Sequence, residues 1–182
     1  MLGLVFTEFV ELVEDKFSPE IADAVIDEVA APHGGSYTAV GYYPHEEMVA
    51  MVGALSRQSG VPAPDLVRSF GGHLLHRFAA AHGDMFARHR NLFDFVASIH
   101  DEIHVEVRKL YDQAALPSFT VLSRDDRELR LLYQSPRAME QLAQGLLEQA
   151  AVHYGEPCDI RHAPHDGPQG AGVLFTLVKQ AL

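Results

Sequence analysis

Positive charge is scarce in this chain: 14 Lys and Arg stand against 25 Asp and Glu, giving a formal net charge of -11 at pH 7. A surface of that sign repels phosphate backbones and anionic lipid, which argues against nucleic acid and membrane surfaces as partners. Cysteine is scarcer still. The one thiol, Cys158, excludes an internal disulfide framework, a cysteine-rich zinc site and an iron–sulfur cluster, and fits a reducing cytosol. Long apolar runs are missing as well, with no segment reaching the roughly 18 apolar residues of a membrane span. The opening Met1-Leu2-Gly3-Leu4-Val5-Phe6 has no basic n-region, and Glu8 and Glu11 interrupt it before a signal peptide or anchor is complete. The expectation is a soluble cytoplasmic protein.

What is present is apolar material and histidine. Of the 182 residues 47% are hydrophobic, enough for one globular domain and too many for a disordered chain. Helical periodicity runs from Leu4 to about Leu116. Phe6, Phe9, Val10 and Val13 share a face; Ser18-Pro19-Glu20 starts a second helix; a third spans Pro44 to Ser59; and Pro62-Ala63-Pro64-Asp65 opens a longer one through Leu66, Phe70, Leu74 and Phe78. Beyond Leu116 the pattern changes. Ser118–Ser123 and Glu128–Tyr133 bracket Arg124-Asp125-Asp126-Arg127 as a β-hairpin, a helix is predicted from Pro136 to about Tyr154, and Cys158–Arg161 and Val173–Val178 read as strands around a Pro/Gly-rich loop from Pro164 to Gly172. The expected architecture is α+β: a helical lobe over 1–116 and a smaller lobe of four strands and a packed helix over 117–182, within a single domain.

Eleven histidines invite the question of which of them work. Read as one helix, Asn91 to Tyr111 places Phe93, Ala97, His100, His104, Val107 and Tyr111 on one apolar strip, with Asp94, Ser98, Asp101, Glu102 and Lys109 opposite. A buried imidazole costs free energy unless its nitrogens find a hydrogen-bond partner or a metal, so the strip holds either two satisfied core histidines or a ligand. A zinc hydrolase motif would need its glutamate directly after the first histidine, where Asp101 stands. A single imidazole on an apolar wall is what a haem iron takes as a proximal ligand.

A second constellation is Tyr133-Gln134-Ser135-Pro136-Arg137. Tyr133 and Ser135 are two apart in extended chain and point the same way. Ser135 before Pro136 reads as a helix N-cap, which puts Arg137 in a first helical turn that is already partly positive. Two hydroxyls and a guanidinium beside free helix N–H groups make a carboxylate or phosphate clamp; a capped helix with Arg137 in a surface ion pair is the other reading.

Together, Asp101-Glu102-Ile103-His104, the Leu110-Tyr111 to Leu116-Pro117 stretch, Tyr133-x-Ser135-x-Arg137 and the Met-x-Gly start resemble the H-NOX family of haem nitric oxide/oxygen-binding domains, bacterial stand-alone type, over essentially the whole chain. The resemblance implies a four-stranded antiparallel sheet in the second lobe and haem b (iron protoporphyrin IX) between the lobes. It further implies His104 as the proximal iron ligand, Tyr133, Ser135 and Arg137 on the haem propionates, Pro117 pressing on the porphyrin, and Val5, Leu74, Phe78 and Leu142 in the distal pocket. His100 then packs on the proximal side and Gly3 and Gly71 are candidate hinges.

Leu142 stands where oxygen-binding relatives carry a tyrosine, so the resemblance implies a ferrous haem that takes nitric oxide and carbon monoxide without a stable oxygen complex. It implies a sensor rather than an enzyme, signalling to a separate histidine kinase or cyclic-di-GMP enzyme. A haem-independent interaction module of the same fold and a small metalloenzyme are the other classes. The zinc site of some relatives is not expected, since Glu140 stands at a cysteine position and Cys158 lies away from His162 and His165. His33, His45, His73, His76, His82, His89 and His153 read as solvated or structural, although His73 and His76 could catch adventitious metal.

Overall fold

The computed structural model describes residues 1–29, 34–111 and 115–180; His33 lies outside them. The chain folds as two compact units, Met1–Phe70 and Gly71–Leu182. The change from helix to strand after residue 116 falls inside the second unit. Among the described residues no helix is long and apolar enough to cross a membrane.

The first unit is built from α1 (Gly3–Lys16), α2 (Pro19–Val29), α3 (His45–Ser59) and the start of α4 (Ala63–Ala81). The Ser18 hydroxyl accepts from the Ile21 amide at 3.3 Å and depresses the Glu20 carboxyl, a cap that fixes where α2 begins. Phe6 and Phe9 of α1 are fully buried; Phe6 stacks on Tyr37 at 4.6 Å and Phe9 meets Phe70 edge-on at 5.2 Å. Gly3 is a close-packing position, because a Cβ there would lie 1.9 Å from the Thr38 carbonyl oxygen. Its amide donates to the Gly41 carbonyl at 2.7 Å.

The second unit carries the rest of α4, α5 (Gly83–Ala87), α6 (Leu92–Ser98), α7 (His104–Leu110), α8 (Glu140–His153) and strands β1 (Ser118–Arg124), β2 (Glu128–Gln134), β3 (Cys158–Gly167) and β4 (Gly170–Lys179). The four strands form one antiparallel sheet in the order β1-β2-β4-β3. The hairpin turn is set by Asp125, whose carboxylate accepts from the amides of Arg127 and Glu128 at 2.8 and 2.7 Å. Leu129, Leu131 and Tyr133 of β2 and Phe175 and Leu177 of β4 alternate onto one face and pack with Ala143, Leu147 and Ala150 of α8 and with Phe93, Phe95 and Val96 of α6.

Four sequence readings are corrected. The helix over 91–111 is not continuous: Ile99–Ile103 is a π-helical turn, and the His104 amide donates to the Ile99 carbonyl five residues back. Ser98 is buried rather than on the polar side, its hydroxyl donating to the Phe95 carbonyl at 2.8 Å and lying 3.2 Å from His89 Nε2. The helix predicted from Pro136 begins at Glu140, because Ala138 adopts a left-handed φ of 45° that no helix can pass through. The loop over 164–172 is mostly strand, with Pro164 paired opposite Val173. Proline survives there because β3 is an edge strand, where its missing N–H costs no ladder bond.

Candidate functional site

His104 opens α7, directly after the π turn. Its ring centroid lies 5.9 Å from that of Phe119 on β1, and Phe119 lies 5.3 Å from Tyr133 on β2, directly across the ladder. His104 Nδ1 is buried without a hydrogen-bond partner of acceptable geometry, although the Pro117 backbone favours the protonated ring. Burial is the larger influence, followed by the neighbouring His100 and Arg108, and together they press the imidazole pKa down to about 4. The ring is therefore neutral at physiological pH, with a lone pair free for a metal. His100 lies 6.5 Å away centroid to centroid, and its Nδ1 is likewise buried and unpartnered.

Tyr133, Ser135 and Arg137 are brought together, but not on a helix N-terminus. Pro136 and Arg137 form a turn ahead of the left-handed Ala138, so Ser135 is not the N-cap of α8; that position belongs to Met139, which makes no side-chain cap. Ser135 Oγ instead accepts from the Arg137 backbone amide at 3.2 Å. Burial raises the Tyr133 phenol pKa, opposed by hydrogen bonding to the Ser135 side chain and the Met139 backbone and by the charge of Arg137. The Tyr133 and Ser135 side chains thus meet, with the Arg137 backbone on the same turn and its charge felt at the phenol. Arg137 Nη1 also donates to the Ala115 carbonyl at 2.9 Å.

The distal candidates fall in different places. A Cβ on Gly71 would lie 2.3 Å from the Leu142 carbonyl and 2.9 Å from the Leu146 amide nitrogen, so α4 and α8 meet there backbone to backbone. Leu74, buried, and Phe78, half-buried, follow Gly71 on α4 at helical spacing, and Leu142 on α8 is half-buried. Val5 lies on α1 in the first unit and is half-buried. Pro117 directly precedes β1 and is half-buried.

Among the described residues no three His, Cys, Asp or Glu side chains gather in a way that could hold a metal ion. His162 Nδ1 is engaged by the Gln144 amide oxygen at 2.7 Å, and His165 Nε2 is buried and unpartnered. His89 proves structural through Ser98, and His153 packs edge-on against Phe86 at 5.1 Å.

Phe119 is the site residue that the sequence reading missed. Its signal was the hairpin register, which a bulge between Val121 and Ser123 disguises.

A helical first unit and an antiparallel sheet backed by a helix define the α+β class, and comparisons with known proteins identify the family. Residues 2–162 match the haem-NO-binding family model, and the chain belongs to that family, H-NOX, whose members are haem-based gas-sensor domains. An H-NOX protein from Shewanella woodyi solved in the Fe(II)CO ligation state is 37% identical, with a TM-score of 0.84 over 99% of this chain and 95% of that one. One from S. oneidensis solved in the Fe(II)NO state is 26% identical, with a TM-score of 0.90 over the full length of both chains. The Drosophila melanogaster protein "Soluble guanylate cyclase 89Db" is 29% identical over 75% of this chain, which spans about a fifth of that relative's length.

Proposed function

We propose that this protein is a haem-based sensor of nitric oxide, not an enzyme: it binds haem b through His104, takes carbon monoxide as well, and forms little or no stable oxygen complex. It acts in the cytoplasm and passes the signal by conformational change to a separate protein, a histidine kinase or a cyclic-di-GMP enzyme. The observation that carries the reading is His104, a half-buried, neutral imidazole whose Nδ1 is buried and has no hydrogen-bond partner, reached through Phe119 from Tyr133. An iron porphyrin supplies the two things these residues lack, a Lewis-acid partner for an imidazole nitrogen and carboxylates for a guanidinium and two hydroxyls.

When bound, ferrous haem would supply an iron at a position where a diatomic gas can bind. The chain's part is to set what that position experiences. His104, at the start of α7 directly after the π turn, would hold the iron through a ring nitrogen. Tyr133, Ser135 and Arg137 hold the propionates, and Pro117 lies two residues from Phe119 on the same connection. Leu142 offers no hydrogen-bond donor, which withholds the stabilisation a partly anionic dioxygen needs and which nitric oxide does not need. The NO and CO ligation states of the two bacterial relatives support the choice of ligands.

The test is the absorption spectrum of the haem-loaded, reduced protein under nitrogen, in air, with carbon monoxide and with nitric oxide. A Soret band that shifts with nitric oxide and carbon monoxide and is unchanged by brief exposure to air is the expected result. A stable shift in air overturns the ligand assignment, and failure to retain haem overturns the sensor reading in favour of a haem-independent interaction module.

A further inference from the structure

We infer that His89 is a positioning residue for His104: its imidazole braces the π-helical turn Ile99–Ile103 from outside and so sets where the His104 backbone sits. The inference rests on the reading of His104 as the axial ligand and adds a support for that residue from a different segment of the chain.

A π turn closes a wider hydrogen-bonded ring than an α-helical turn and is rare, so the surrounding structure has to select it. Here the turn ends in the bond from the His104 amide to the Ile99 carbonyl. In an α-helical turn that amide would bond the His100 carbonyl four residues back instead. His89 meets the turn at both ends. Its Nε2 lies 3.2 Å from Oγ of Ser98, the residue immediately before the turn, and 4.0 Å from Oε2 of Glu102, near its close.

The number of hydrogens fixes the direction of the Ser98 contact. The Ser98 hydroxyl has one, and it is donated to the Phe95 carbonyl at 2.8 Å. The proton between Ser98 and His89 therefore belongs to His89 Nε2, which puts an N–H on the side of the Glu102 carboxylate as well.

His89 is itself held. It lies between α5 and α6 with its side chain only 9% exposed, its amide donates to the Phe86 carbonyl at 3.1 Å, and its ring meets Phe95 edge-on at 5.8 Å. Phe86 and Phe95 stack at 4.8 Å, and the Tyr154 hydroxyl donates to the same Phe86 carbonyl at 2.8 Å. The imidazole is thus tied to the core of the second unit. Through Ser98 it holds the residue bonded directly to Ile99, the acceptor of the His104 amide.

The experiment compares wild type, His89→Phe, His89→Gln and Ser98→Ala. In haem-free protein, NMR reads hydrogen exchange at the His104 amide. His89→Phe and Ser98→Ala are each expected to speed it about fivefold, roughly the loss of one hydrogen bond, beyond any change at the amides of α8. Should His89→Phe not fold, Ser98→Ala carries the same test. His89→Gln, whose side-chain amide nitrogen reaches the place of Nε2, is expected to keep the wild-type rate. Acceleration shared equally by His104 and α8 marks a residue that serves global stability alone and overturns the inference, as does an unchanged rate. Long-range ¹H–¹⁵N correlation of the His89 ring is expected to place a proton on Nε2, and a ring protonated at Nδ1 alone also overturns it. In the ferrous, haem-loaded protein the iron–histidine resonance Raman band is expected to shift by several wavenumbers in His89→Phe and not in His89→Gln; an unshifted band in His89→Phe overturns the positioning role. Absence of that band in wild type refutes the axial reading of His104, and the exchange rates still decide whether the brace exists.

Discussion

Ala138 sits between the clamp residue Arg137 and the start of α8 with a φ of 45°, and it is the one non-glycine residue with positive φ among those described. An L-residue in the left-handed region carries a cost of about 1–2 kcal/mol from its Cβ against the following carbonyl. Replacement by glycine removes that cost and adds about 0.5–1 kcal/mol of conformational entropy lost on folding. Ala138→Gly is therefore expected to stabilise the protein by about 0.5–1 kcal/mol, a rise in Tm of about 1–4 °C for a chain of this size. Urea unfolding of haem-free protein is the assay, with an unchanged slope confirming that the midpoint reports stability and not a change in the denatured state. The sign of the change distinguishes a turn from a helix at this position. Were residue 138 inside a helix beginning at Pro136, as propensity suggests, the same substitution would destabilise by about 1 kcal/mol. A lowered midpoint would refute the left-handed turn, and with it the placement of Arg137 off the helix.

Other perturbations follow from the same geometry. Gly3→Ala sets a Cβ 1.9 Å from the Thr38 carbonyl oxygen, where ordinary carbon–oxygen contacts are roughly 3.3 Å, and should cost about 1–3 kcal/mol in urea unfolding; an unchanged midpoint would show that the loop yields freely. Arg124 Nη2 lies 2.5 Å from Asp94 Oδ1, and this bond is the main reason the Asp94 carboxyl is depressed. Both side chains are more than a third exposed, so Arg124→Gln should remove only a few tenths of a kcal/mol in low salt. A depressed carboxyl stabilises above its unfolded pKa of about 4, so the wild-type advantage should be fully present at pH 6–7 and be lost only as pH falls from about 4 through the lower folded pKa; an advantage that persists below both would contradict the pairing. Leu142→Tyr should introduce a detectable oxygen complex in the reduced haem-loaded protein, and an unchanged spectrum in air would show that residue 142 does not reach the gas.

Much of the fold was legible because it follows from periodicity and caps. Ser18-Pro19-Glu20 sets the start of α2, and Asp125 sets the hairpin, through short-range hydrogen bonds that sequence displays directly. The failures share a cause: each is a place where tertiary packing overrides local preference. The π turn before His104 inserts an extra residue into a pattern that otherwise reads as one helix, and Ser98 is buried because His89 is there to meet it. Strand β3 runs through Pro164 because edge position, which is a property of the sheet, removes the penalty. Phe119 is the most instructive miss. Continuing the register of Ser123↔Arg130 and Arg124↔Leu129 would set Thr120 opposite Tyr133; the bulge slides the strand by one residue and sets Phe119 there instead, beside His104. The site's residue types were visible in the sequence, whereas the clamp's true setting, a turn before a left-handed alanine, was not.

The central claim is that His104 is the group that holds iron. Its most direct test is haem titration of wild type and His104→Gly under reducing conditions, followed by addition of free imidazole to the variant. The account predicts that His104→Gly remains folded, since the imidazole it loses had no hydrogen bond at Nδ1 to forfeit, and that it lacks the wild-type ferrous Soret band until imidazole restores it. A variant that binds haem with the wild-type spectrum and needs no imidazole would contradict the claim.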